Sequence, residues 1–242
     1  MRHFDGIIDL AAGRKGGIEA LERILATTPV RPAWEIAAMP DDRILAEMCR
    51  YIFYAGFSPR VVQNKWPGFE AAFENFDVPL NAAIHPERFD ALMMDPGIVR
   101  NGRKMRAVEA NARLLQDLAS SHGSAARFFA EWPDRQYTAL LGYLKQHRSY
   151  LGGHAAMRFL RAIGKPAFVT TQDVVTALIR EQVVTRMPVH SDELAAVQDA
   201  FNLWSEQSGR NLTEISRILA ISVDDGHQPP NRRRQYPRRG PM

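Results

Sequence analysis

Tyr150-Leu151-Gly152-Gly153-His154-Ala155-Ala156 joins two helical patterns with no room for a loop between them. One pattern ends before it, and the next begins at once with Ala156, Phe159, Leu160 and Ile163 on one apolar face. Two glycines in a tight turn that opens a helix leave backbone N–H groups pointing outward, where the helix end carries partial positive charge. Such a turn can receive a phosphate, with His154 and Lys165 adding charge-assisted contacts. It can equally be a plain helix–helix connector.

Helical periodicity extends in both directions from this turn, and strand signals are sparse, so the chain reads as all-α. Residues 6–27 read as helix, turn, helix around Gly13-Arg14-Lys15-Gly16-Gly17. No strand precedes those glycines and no Lys-Ser/Thr pair closes them, which argues for a turn over a phosphate loop. Asp41 or Asp42 is placed to cap a helix over 41–55, which Gly56 and Pro59 should end. A second helix covers 61–74 and bends or restarts at Trp66-Pro67-Gly68. Asn101 caps a helix over 102–120, and further helices fit 125–129, 134–146, 155–163, 171–185, 191–208 and 211–220. These make one folded unit over residues 1–223, followed by a basic Pro/Arg-rich tail, 224–242, whose composition predicts disorder.

Charge is unevenly placed. The chain carries 31 basic and 27 acidic residues, but the tail alone holds Arg232, Arg233, Arg234, Arg238 and Arg239. The rest is nearly neutral, so a nucleic-acid surface there must be a local patch. Cys49 is the only cysteine, which excludes an internal disulfide and any zinc site needing two thiolates. No apolar run is long enough for a membrane span, and Met1-Arg2-His3-Phe4-Asp5 has no leader-like apolar stretch. A cytoplasmic protein is the expectation, with no cofactor and no metal.

Longer stretches carry a resemblance. Residues 45–77, with Ala55-Gly56-Phe57-Ser58 and a closing Phe73-Glu74-Asn75-Phe76-Asp77, resemble the early helices of DNA-3-methyladenine glycosylase I proteins without a needed gap. Asp95-Pro96-Gly97-Ile98-Val99-Arg100, then Lys104, Ala107, Asn111, Ala112 and Arg113, is similar to that family's next turn and helix. Leu151-Gly152, Phe159, Ala162 and Gly164 fall at the spacings of its helix-hairpin-helix element. The likeness covers roughly residues 41–164. It implies a two-lobed helical bundle of the helix-hairpin-helix DNA glycosylase type, which flips an alkylated purine such as 3-methyladenine out of duplex DNA and hydrolyses its glycosidic bond in base excision repair. Leu151, Gly152, Gly153, His154 and Lys165 then become the expected backbone clamp of a monomer associated with the nucleoid.

The sequence departs from that family in two respects. The family's zinc site of Cys and His residues has no counterpart, and the added helices over 191–220 are expected to replace its structural work. The resemblance also places Tyr51 where the family has its base-reading Glu, and Pro59 where it has a Trp. The same helix still offers Glu47, Tyr51, Tyr54 and Ser58 at i, i+4, i+7 and i+11. Tyr51, Tyr54 and Trp34 are the candidates for stacking on a cationic base, with Ser58 as a small donor; the tyrosines can equally fill the core. For the anion that steadies an oxocarbenium-like sugar, Glu47 and Asp173 are the candidates. Related helix-hairpin-helix enzymes imply an acid at Thr171. Asp173 lies two residues on and can instead close a Thr170-x-x-Asp173 capping box. A non-catalytic lesion-binding protein of the same fold is the alternative reading.

Overall fold

Among the described residues, glycine, proline and polar caps mark off fifteen α-helices, and there is no strand. The computed structural model describes residues 1–28, 30–147 and 150–223. The expected tail, 224–242, lies outside them. In order the helices are α1 (Phe4–Lys15), α2 (Ile18–Leu25), α3 (Ala33–Ala37), α4 (Asp41–Tyr54) and α5 (Pro59–Asn64). Next come α6 (Trp66–Ala72), α7 (Val78–Ala82), α8 (Pro86–Met94), α9 (Gly102–His122) and α10 (Ala125–Glu131). The chain closes with α11 (Tyr137–Gln146), α12 (His154–Ala162), α13 (Gln172–Arg180), α14 (Ser191–Ser208) and α15 (Leu212–Ile221).

The helices pack as two groups. In the first, the long α9 is the spine, with α4, α7 and α10 laid against it. Its core includes Phe53, Phe69, Phe73 and Phe76, all fully buried, with Trp66 stacked on Phe69 and Phe76 at centroid distances of 5.6 and 5.4 Å. Each buried phenyl ring contributes about 1.5–3 kcal/mol relative to exposure. In the second group α1, α11 and α13 pack on α14 and α15, around Tyr137, Phe168, Phe201 and Trp204. Residues at the start of α1 are tied here: the Phe4 amide donates to Gln207, and the Phe4 ring meets Trp204 at 5.8 Å. α12 crosses between the groups by packing against α4.

Several ends differ from the sequence expectation for identifiable reasons. Asp41 is not the cap of α4, whose N-cap is Pro40. Its carboxylate instead receives the amides of Ala125 and Ala126, both at 3.0 Å, so it caps α10 from 84 residues away. Pro59 does more than stop α4, since it occupies the first turn of α5, where a missing N–H costs nothing. The cap of α13 is Thr171, which accepts from the Val174 amide, so Thr170 and Asp173 form no capping box. Gly16, at φ 87°, closes α1 as a left-handed cap, and the glycine group there is a turn.

Candidate nucleic-acid interface

Where α12 meets α4, a cleft of about 340 Å³ opens between the two helix groups. Tyr51 from α4 forms one wall, and Arg158, Arg161 and Ala162 from α12 form another. Val169 and Thr171, on the segment leading into α13, and Thr27 and Thr28, beyond α2, complete it. Tyr51 is half-buried, with its ring edge-on to Tyr54 at 5.4 Å. Burial and the nearby Glu47 charge push the phenol above its ordinary range, so it keeps its proton at neutral pH.

Glu47, Tyr54 and Ser58 do not line this cleft with Tyr51. Glu47 is held by Arg50, Nε to Oε1 3.1 Å, and the Arg50 guanidinium lies over Trp66 at 4.0 Å. Burial raises the Glu47 carboxyl above its usual range, against the lowering pull of Arg50 and Arg43. Tyr54 supports Tyr51 rather than opening onto the cleft. Ser58 is exposed and out of register, because α4 ends at Tyr54 and Ala55 is extended. Trp34, on α3, is 71% exposed, neither a plug in the core nor a wall of the cleft. Asp173 is exposed in the first turn of α13, and it is the capping Thr171 that faces the cleft.

At the other end of α12, Leu151 is buried and Gly152 and Gly153 are exposed. Gly153 has φ 52° and ψ −126°, a conformation that favours glycine. Among the described residues no acceptor takes the amides of Gly152, Gly153 or His154. The His154 ring turns inward: Nε2 donates to the Thr170 carbonyl at 2.7 Å, which fixes the tautomer. The turn borders a separate apolar groove of about 860 Å³, with Tyr143, Met157, Pro188 and Leu194 in its walls. Lys165 corrects the sequence expectation. It is 2% exposed, with Nζ donating to the Trp132 carbonyl at 2.7 Å and Asp134 at 3.0 Å, so it cannot reach a duplex.

Residues 32–148 match the family model described as methyladenine glycosylase. Over this segment the chain is similar to methyladenine glycosylases. No curated protein matches the chain. Among solved structures, a 3-methyladenine DNA glycosylase I carrying a tyrosine-to-phenylalanine change, in complex with 3-methyladenine, is 21% identical, covering 57% of this chain and 82% of its own at a TM-score of 0.49. The Staphylococcus aureus 3-methyladenine DNA glycosylase I is 22% identical, with 57% and 81% covered, also at 0.49. A glutamate-to-glutamine mutant of the S. aureus enzyme is 20% identical, with 62% and 89% covered, again at 0.49.

The zinc ligands that the resemblance implies have no counterpart among the described residues. Cys49 is fully buried in α4, where burial pushes its thiol well above the ordinary range. Among the described residues no three His, Cys, Asp or Glu side chains come together to hold a metal. The residues present do not fit a Cys/His zinc centre. No described helix is long and apolar enough to cross a membrane.

The cleft also contains what the sequence reading missed. Arg161 donates to the Ala167 carbonyl through Nη2 at 2.6 Å and Nε at 3.2 Å. Burial, with contributions from Arg217 and Arg158, lowers its pKa to about 10, which still leaves it charged at neutral pH. Arg158 is exposed and has no carboxylate partner among the described residues. The signal was there to find: α12 carries arginines three residues apart and no acidic side chain.

Proposed function

We propose that this protein binds duplex DNA through the Gly152–His154 turn and receives an everted nucleotide of damaged DNA in the Tyr51 cleft. The observation that carries this reading is that one helix, α12, serves both places. Its N-terminal amides are open at the turn, and roughly 10 Å along its axis Arg161 lines the cleft against Tyr51. A duplex phosphate held at the turn would therefore stand at a fixed distance from the cleft mouth. The protein acts as a monomer in this reading, binding a lesion without excising it.

Binding to duplexes with and without an abasic-site analogue, followed by anisotropy across a salt series, tests this. The expected result is tighter binding to the damaged duplex and an affinity that falls steeply with salt. Gly152 has an ordinary φ and open space where a Cβ would stand, so Gly152→Glu places a negative charge at the turn without strain. It should weaken binding by about tenfold or more, in line with loss of a phosphate contact. Unchanged affinity in that variant would overturn the assignment of the turn.

A second reading, hydrolytic removal of an alkylated purine such as 3-methyladenine, is favoured by the similarity of residues 32–148 to methyladenine glycosylases and by Glu47, one turn before Tyr51 with a raised carboxyl. In it Glu47 or Asp173 supplies the anion, and Tyr51 and Tyr54 hold the base. Free base released from methylated DNA, and lost in Glu47→Gln, would support excision. Lesion binding without release would exclude it.

A further inference from the structure

We infer that the Tyr51 cleft is a phosphoryl-binding site, with Arg158 and Arg161 as the cationic walls and the hydroxyls of Tyr51, Thr28 and Thr171 as further donors. This rests on the reading above that the cleft receives part of a DNA strand, and it names the chemical class of the group received. The argument starts from what lines the cleft: two guanidiniums, three threonines and a phenol, and no carboxylate. Guanidiniums only donate. Thr171 Oγ1 accepts from the Val174 amide, which leaves its own proton for a ligand. The Tyr51 phenol stays protonated at neutral pH, hence a donor.

A third guanidinium stands behind these two. Arg217, from α15, donates to Thr27 Oγ1 at 3.1 Å and adds its charge to the field at Arg161. None of Arg158, Arg161 and Arg217 has a carboxylate partner among the described residues; Arg161 and Arg217 donate to backbone carbonyls instead. A wall of donors and uncompensated positive charge suits a ligand that only accepts and is anionic. It suits a cationic purine poorly, because like charges would be confined together at short range in a half-enclosed space. Phosphoryl oxygens meet each requirement.

The phosphoryl group can come from a strand end in DNA or from a free nucleotide, and binding assays separate the two. Anisotropy should compare a nicked duplex bearing a 5′-phosphate with the same duplex bearing a 5′-hydroxyl, while calorimetry measures deoxyadenosine 5′-monophosphate and inorganic phosphate. The expected result is at least about tenfold tighter binding of the 5′-phosphate duplex, with that ratio falling to near one in Arg158→Gln. Arg158 is exposed, so this variant should fold; Tyr51→Phe and Thr171→Val, each reducing the ratio in part, check the assignment independently. Equal affinity for the two nicked duplexes, with damaged-duplex binding intact, overturns this inference and leaves the reading of the turn standing. Binding of the free nucleotide that is lost in Arg158→Gln, without duplex affinity, supports the cleft assignment and removes the DNA reading instead.

Discussion

Arg31 and Gly164 meet backbone to backbone: the Arg31 amide donates to the Gly164 carbonyl at 2.8 Å, and the Arg31 methylenes fill the space beside the Gly164 α-carbon. A Cβ on Gly164 would lie 2.5 Å from Arg31 Cγ, and Gly164 sits at φ 93°. Both the conformation and the contact select glycine. Gly164→Ala should therefore destabilise the fold by about 1–3 kcal/mol, the usual cost of a side chain in that region. Equilibrium urea unfolding would measure it, and a loss below about 0.5 kcal/mol would contradict the packing described.

Asp41 gives a second test of long-range capping. Because it holds the first amides of α10 and not those of its own helix, Asp41→Ala should cost about 0.5–2 kcal/mol. Amide exchange would locate the damage: protection should fall at Ala125 and Ala126, and stay level in the first turn of α4. The reverse pattern would restore Asp41 to the local role that its sequence position suggests.

Glu181 sets part of the acid limit of stability. Burial pushes its carboxyl upward, but hydrogen bonds from Arg180 and the Arg2 amide, with both positive charges, outweigh that and hold it below the ordinary range. A depressed carboxyl contributes stability above its unfolded pKa and loses it as pH falls through the folded one. Between about pH 7 and pH 3, the stability difference between the native protein and Glu181→Gln should therefore shrink toward acid. A difference that stays constant with pH would count against this account.

Lys165 separates structural from DNA-binding roles. Lys165→Met leaves the Trp132 carbonyl and Asp134 without their shared donor and should cost about 1–3 kcal/mol. The salt dependence of duplex binding should not change, since the ammonium faces the interior. A flatter salt slope in this variant would put Lys165 back on the DNA side.

Much of the helical plan was legible because glycine and proline punctuate it: Gly16, Pro59 and the Asn101 cap fall at helix ends in both sequence and structure. The candidate site was legible only in part. The stripe through Glu47, Tyr51, Tyr54 and Ser58 assumes helix throughout, and the extended Ala55 breaks the register before Ser58. The short helix α7 escaped notice because a five-residue segment carries too few turns for a periodic signal. Arg158 and Arg161 sit on the polar edge of an amphipathic helix, where arginines are ordinarily solvated. Only the tertiary approach of α4 and the threonine segments gives them a shared cavity. Lys165 was misjudged because its partner, Asp134, is 31 residues away and unremarkable in sequence.

The attachment of Phe4 to Gln207 and Trp204 has a consequence for synthesis. A ribosome delivers α1 about 200 residues before the surface that covers its apolar side exists. The α9-centred half can close on itself meanwhile, whereas α1, with α2 alone beside it, must wait for α14 and α15 to cover the rest of its apolar side. Nascent-chain truncations ending before α14 should thus bind chaperones at the first helix, and completing the chain should release them.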